Sequence, residues 1–196
     1  MNFLAHAYLS FHHPEVMVGN MISDFVKGKT RYTYLPAIQY GIELHRRIDC
    51  FTDDHPVTHK AKTIFKKEYR LYSGAFMDIV YDHFLANDET LFPNGSLLRF
   101  TQKVYEVLDT FSAHLPDRFL YLLPYMKTEN WLYHYKDKGG IERSFKGLVR
   151  RSSFLSESDT AFHLFMEHYL YLQECYGDFF TDLKQYAQQQ FKIIVT

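Results

Sequence analysis

Apolar and polar positions along the chain alternate with helical rather than strand periodicity from one end to the other. Residues 2 to 13 place Phe3, Leu4, Ala7, Tyr8 and Phe11 at helical spacing. Pro14 can open a second helix through Val16, Val18 and Ile22 towards Phe25, with Gly28 as its stop. The segment KTRYTYLP at 29–36 is polar and turn-like, and a third helix starts after Pro36 and ends before Pro56. Residues 71–87 are apolar almost all round, the mark of a helix buried inside a bundle. Beyond residue 95 the helical pattern continues, with breaks at Pro116, near Pro124, at Gly139-Gly140 and around 152–158; the longest candidate, 159–191, breaks at Gly177. Hairpin dipeptides between alternating strands, internal repeats and linkers are absent. The expectation is an all-α, compact multi-helix bundle forming one domain over residues 1–196.

One helix breaks its own pattern. At ~100° per residue, Ile38, Ile42, His45, Asp49 and Thr52 fall in one sector, with Asp53 at its edge, so an apolar stripe turns into imidazole and carboxylate. Buried charges need partners. Those partners are each other, a metal ion, or both. The 71–87 helix repeats the motif: Asp78 and Asp82 share a face with Leu71, Gly74 and Leu85, and two carboxylates one turn apart repel unless a cation lies between them. A divalent metal answers that. His83 points about 100° away and reads as a base, a group behind the ligands, or a core histidine. Asp24 opposes a helix dipole unless a cation compensates, and pairs with Lys27 or Lys29 or serves as a ligand. His6, among apolar neighbours, reads first as a core or capping residue and stays in reserve.

Composition changes this picture little. Hydrophobic residues at 46% and charged residues at 23% are ordinary for a globular chain, although 18% is aromatic. A net charge of -1 gives no global argument for nucleic acid. Two basic stretches remain, Lys60 to Arg70 and Arg143 to Arg151, each a solvated helix face or a docking surface for an acidic partner. Cys50 and Cys175 are too few for a disulfide framework. His6, His12 and His13 interrupt the opening stretch, so a signal peptide is not expected, and no apolar run reaches the ~18 residues of a membrane span. A soluble, cytoplasmic chain of undetermined oligomeric state follows.

GxxxxGK[ST], GxGxxG and GxSxG are absent, which sets aside P-loop, Rossmann and serine-hydrolase chemistry. What stands out is a set: Asp24, His45, Asp49 and Asp53, with Asp78, Asp82 and His83 on another helix. Imidazole and carboxylate without thiolate suit Mn, Fe, Mg or Zn, and the histidine tilts the choice to manganese or iron. Such a centre activates water and neutralises a phosphoryl oxygen. Arg46 and Arg47 adjoin it; one guanidinium can hold a phosphate while the other pairs with an acid.

MNFLAHAYLS, GNMISDFVKG at 19–28, HRRIDCFTDDHP at 45–56, DIVYDHFLA at 78–86 and LPDRFLYLLPYMKTENWLYHY at 115–135 together resemble the acyl carrier protein phosphodiesterase family over essentially the whole chain. The resemblance implies an HD-like phosphohydrolase that cleaves 4'-phosphopantetheine from a serine of holo-acyl carrier protein, with a divalent metal, usually manganese. Carried over by motif, the expected metal ligands are Asp24, His45, Asp49, Asp78 and Asp82. Asp53 and His83 are expected to move protons or orient ligands, and Arg46 to hold phosphate. HD enzymes carry a tandem His-Asp dyad, whereas this chain has His45-Arg46 and the reversed Asp82-His83, so the resemblance locates the site better than its ligands. Since acyl carrier proteins are acidic, one of the basic stretches would steer docking. Two alternatives stay open: a phosphohydrolase for another diester or a nucleotide, and a non-catalytic module that keeps His45–Asp49 and Arg47–Asp82 ion pairs.

Overall fold

The computed structural model describes residues 1–195. Among them are α1 (Phe3–Tyr8), α2 (Pro14–Ile22), α3 (Pro36–Asp54), α4 (Pro56–Tyr69), α5 (Ser73–Ala86), α6 (Ser96–Thr110), α7 (Asp117–Thr128), α8 (Trp131–His134), α9 (Lys138–Arg151), α10 (Asp159–Glu167) and α11 (Tyr169–Val195), and no strand. The fold is all-α, as the periodicity predicts.

Prolines set the ends of the helix that carries the site. Pro36 supplies a preset φ where no N–H is needed, and Pro56 forces His55 out of the helix at φ -69°, ψ 130°. His55 then caps α4, its Nδ1 accepting the Val57 N–H at 3.3 Å. The first predicted helix is cut short because Phe11 (φ 49°) and His12 (φ 64°) take left-handed backbone and turn the chain into α2. A 3-10 turn, Ser23–Phe25, follows α2 and carries Asp24.

α2 and α3 cross in direct backbone contact. A Cβ on Gly19 would lie 2.0 Å from the Ile38 carbonyl oxygen, and one on Gly41 would lie 2.1 Å from that of Val16. Only glycine at both positions permits this approach, which brings Asn20 next to His45, one turn beyond Gly41.

α5 forms the middle of the bundle, with Phe76, Met77, Val80, Tyr81 and Leu85 fully buried against α1, α4, α9 and α11. It starts at Ser73, later than its apolar pattern suggests: Arg70 sits at φ 47° and Leu71 is 97% exposed, outside the face that Asp78 and Asp82 share. Three other predicted breaks move. Gly139 and Gly140 lie inside α9, where the missing side chain of Gly140 lets the helix rest on the His134 carbonyl. Pro124 lies inside a continuous α7, and the turn falls at Asn130, φ 44°. Gly177 lies inside α11, and the chain turns at His168 instead, between α10, which packs on α4 and α9, and α11, which packs on α3. Among the described residues, no helix is long and apolar enough to cross a membrane.

Candidate metal centre

The centre lies where α1, α2, α3 and α5 meet. The α3 register places His45 and Asp49 one turn apart, and His45 Nε2 lies 3.0 Å from Asp49 Oδ2. From α1, His6 brings its Nε2 to 3.2 Å from Asp49 Oδ1. The two imidazoles stack, so Asp49 faces one nitrogen with each oxygen. Ligand atoms of His6, His45 and Asp49 all lie within 4.8 Å of one another, a His/Asp metal-binding arrangement.

Asn20 binds the Nδ1 nitrogen of both rings. His6 Nδ1 is 2.8 Å from the Asn20 side-chain oxygen, and His45 Nδ1 is 2.7 Å from the Asn20 carbonyl oxygen. Both partners only accept, which places a proton on His45 Nδ1; His6 meets acceptors at both nitrogens, since the Met1 carbonyl oxygen also lies 3.2 Å from its Nε2. Asn20 is fully buried, and its amide donates to the His6 carbonyl at 2.8 Å and to Ser10 Oγ at 3.1 Å. Two Nε2 atoms and a carboxylate converging on one point is a donor set that fits a divalent cation.

Two further carboxylates border it. Asp24 Oδ1 lies 3.2 Å from His45 Nε2 on a side chain that is 75% exposed, so His45, rather than Lys27 or Lys29, is its partner. Asp78 is half-buried, and its Oδ1 lies 3.1 Å from the buried Met1 amino group, which also donates to Asp49 Oδ1 at 3.1 Å.

Burial disfavours every charge here, and the neighbours decide which survive. Burial pulls His6 down to about 4, reinforced by the charge on His45. Burial also pulls on His45, but Asp24 and Asp49 outweigh it and raise it to about 9. For Asp49, burial acts upwards, yet the Met1 ammonium and the two imidazoles hold it well below the usual carboxylate range. Asp78 is raised, by burial first and against the pull of the Met1 ammonium. That ammonium is lifted to about 11: burial lowers it, and Asp78 and Asp49 more than restore it.

The remaining expected site residues are placed apart from this convergence. Asp82 is fully buried and accepts the N–H groups of Leu4 (2.7 Å) and Ala5 (3.2 Å), which fastens the first turn of α1 to α5. Burial raises it to about 7 against those two donors. His83, on another face of α5, has Nδ1 at 2.7 Å from the Tyr135 carbonyl and Nε2 at 2.9 Å from the Tyr169 hydroxyl. Asp53 accepts from Lys62 at 2.5 Å on the surface. Arg46 donates to the Val26 carbonyl at 3.4 Å, over the turn that carries Asp24. Arg47 pairs with Glu43 (3.1 Å) and Gln190 (2.6 Å), not with Asp82.

Comparison with known proteins supplies the class. The sequence profile of the family described as acyl carrier protein phosphodiesterase matches residues 1–183. The chain belongs to the acyl carrier protein phosphodiesterase family. It is 34% identical over 191 residues to an acyl carrier protein phosphodiesterase of Yersinia pestis, covering 97% of this chain and 99% of that protein. Proteins of the same name from Photorhabdus laumondii and Escherichia coli are each 31% identical over 191 residues, covering 97% of this chain and 96% and 99% of theirs. No solved structure matches the chain.

In this acyl carrier protein phosphodiesterase family chain, three of the motifs meet at one place: His6 comes from the opening stretch, Asn20 and Asp24 from 19–28, His45 and Asp49 from 45–56. Sequence reasoning held His6 in reserve and passed over Asn20 and the Met1 amine. Asn20 carried a readable signal, a lone amide in the otherwise apolar run VMVGNMI.

Proposed function

We propose that the chain hydrolyses the phosphodiester joining 4'-phosphopantetheine to a serine of holo-acyl carrier protein, releasing apo-acyl carrier protein and 4'-phosphopantetheine, at a manganese centre held by His6, His45 and Asp49. The observation that carries this reading is the convergence of two Asn20-oriented imidazoles on the one carboxylate of Asp49, in a chain of this family. A divalent ion there supplies Lewis acidity towards a phosphoryl oxygen and makes water more acidic. Mixed nitrogen and oxygen donors without thiolate favour manganese.

The chain's own groups divide the remaining tasks. Asp49 orients both imidazoles, one oxygen to each. Asp24, exposed at the opening, is the carboxylate that incoming water and substrate meet first, and it holds the Nε2 side of His45 in place. Asp78 anchors the Met1 amine and with it the start of α1, and Asp82 secures the next turn. Arg46, held on the Val26 carbonyl at the end of the turn that carries Asp24, has further guanidinium N–H groups for phosphate oxygens. His83 sets the packing of α5 against α10 and α11. With two free cysteines and an acyl carrier protein as substrate, the setting is the reducing cytoplasm.

Mass spectrometry of holo-acyl carrier protein incubated with the purified chain tests the reaction. Loss of the phosphopantetheine mass with Mn2+, and not after chelation, is expected. An intact holo-carrier in the presence of metal-loaded protein, with turnover of a nucleotide panel instead, would overturn the substrate.

A further inference from the structure

One face of α9, with a repeat of three and four, carries Gly140, Arg143 and Ser144, Gly147, then Arg150 and Arg151, the three arginines exposed. Together with α1, α5 and α7 this face encloses a cavity of about 310 Å³. Arg143, Arg150 and Arg151 line it, and the guanidinium groups of the three form no hydrogen bond or ion pair with any described residue. The nearby acid Glu129 is engaged by the Trp131 indole at 3.0 Å. Three exposed guanidinium groups against the single Glu129 carboxylate leave the concavity net cationic.

The cavity shares chain neighbours with the metal centre. Its far wall includes Asn2, which follows Met1, and Ile79, which follows Asp78; the Met1 amine and the Asp78 carboxylate are themselves in contact at the centre. Leu122 and Trp131 add an apolar side. Gly147 has open space where a side chain would be, with no atom within 4 Å of its would-be Cβ.

We propose that this cavity is the subsite for the phosphopantetheine half of the substrate. The inference rests on the phosphodiesterase reading and deepens it. A diester phosphate at the centre carries two substituents. The serine belongs to a folded protein, which needs a broad face of roughly 800 Å² rather than a cleft. The other substituent is a single flexible chain, with two methyl groups beside the phosphate and two amides beyond. A cavity at the small end of ligand sites, roughly 300–1,000 Å³, takes one such chain. Ile79, Leu122 and Trp131 receive the methyl groups, and the arginines donate to phosphate oxygens and amide carbonyls.

Trp131 is the sole tryptophan of the chain, so its fluorescence reports occupancy. Titrating 4'-phosphopantetheine into the manganese-loaded protein should give a saturable change in emission, matched by calorimetry, and competitive inhibition of holo-carrier hydrolysis. Gly147→Leu adds a side chain whose Cβ meets no atom within 4 Å and favours the helix, and it should weaken 4'-phosphopantetheine at least ~10-fold and raise KM for the holo-carrier. Arg150→Gln should weaken it about 3- to 10-fold and reduce its salt dependence, and carries the test should Gly147→Leu lose its helical circular dichroism.

No saturable binding to the unaltered protein, or equal affinity for it and both variants, overturns the subsite. A raised KM for the holo-carrier with unchanged affinity for free 4'-phosphopantetheine also overturns it, and makes α9 the face that meets the carrier protein. Failure of the reaction itself looks different: the unaltered protein would leave the holo-carrier intact.

Discussion

His6 lies flat against His45, ring centroids 3.8 Å apart and planes 13° from parallel, and both rings send Nδ1 to Asn20. Two imidazolium charges at that separation repel, so the pair carries one positive charge, with the extra proton on His45 between the carboxylates of Asp24 and Asp49. A metal ion bound at the two Nε2 atoms must displace that proton.

Metal affinity should therefore rise with pH until His45 loses its proton near 9, with about one proton released per ion at pH 7.5. Calorimetry in buffers of different ionisation enthalpy measures this. In the metal-free protein the raised value of His45 has a defined sign. Its stabilising contribution is full below the unfolded histidine value, ~6.5, and is lost as pH rises through about 9. Thermal melts should fall across that window and flatten in His45→Gln. A melt curve equally steep in the variant would contradict the assignment.

Asn20→Ala removes the acceptor for His6 Nδ1 but leaves the carbonyl that receives His45. Loss of one orienting partner should reduce metal affinity ~10- to 100-fold. It also removes the two Asn20 amide hydrogen bonds to the Ser10 hydroxyl and the His6 carbonyl, which keep only the bond between them, at about 1–3 kcal/mol in chemical denaturation.

Asp49 and Asp82 should separate by readout. Asp49→Ala takes away the carboxylate that faces both imidazoles, and equilibrium dialysis should find metal binding weakened more than ~100-fold. Asp82→Ala strips two acceptors from the first turn of α1 and should cost about 1–3 kcal/mol of stability, with Asp82→Asn in between because its carbonyl still accepts one N–H. Comparable losses of metal affinity in Asp82→Asn and Asp49→Ala would place Asp82 among the ligands instead.

Two glycines should respond with opposite signs to the same change. Gly19→Ala drives a methyl group to 2.0 Å from the Ile38 carbonyl oxygen, and separating α2 from α3 should cost about 3 kcal/mol or more. Gly147→Ala meets open space inside a helix and should gain up to ~1 kcal/mol. Urea titrations of the two variants check both.

Helix type and order were legible in the chain because hydrogen bonding within a helix is local and its apolar face repeats every 3.6 residues. The prolines at 36 and 56 marked the ends of α3 for the same local reason, whereas the glycine pair at 139–140 misled, since its role is to let α9 rest on the distant His134 carbonyl.

The sequence by itself determined that His45 and Asp49 stand together, because four residues on a helix are one turn wherever that helix packs. It could not determine that His6 would stack on His45 across 39 positions, that Asn20 would bind both Nδ1 atoms, or that Asp82 would turn to the first N–H groups of α1 while His83 turned to Tyr135 and Tyr169. Those pairings depend on how helices cross. Here the crossing is set by a glycine contact between α2 and α3 and by the burial of α5, neither of which exists until the chain has folded.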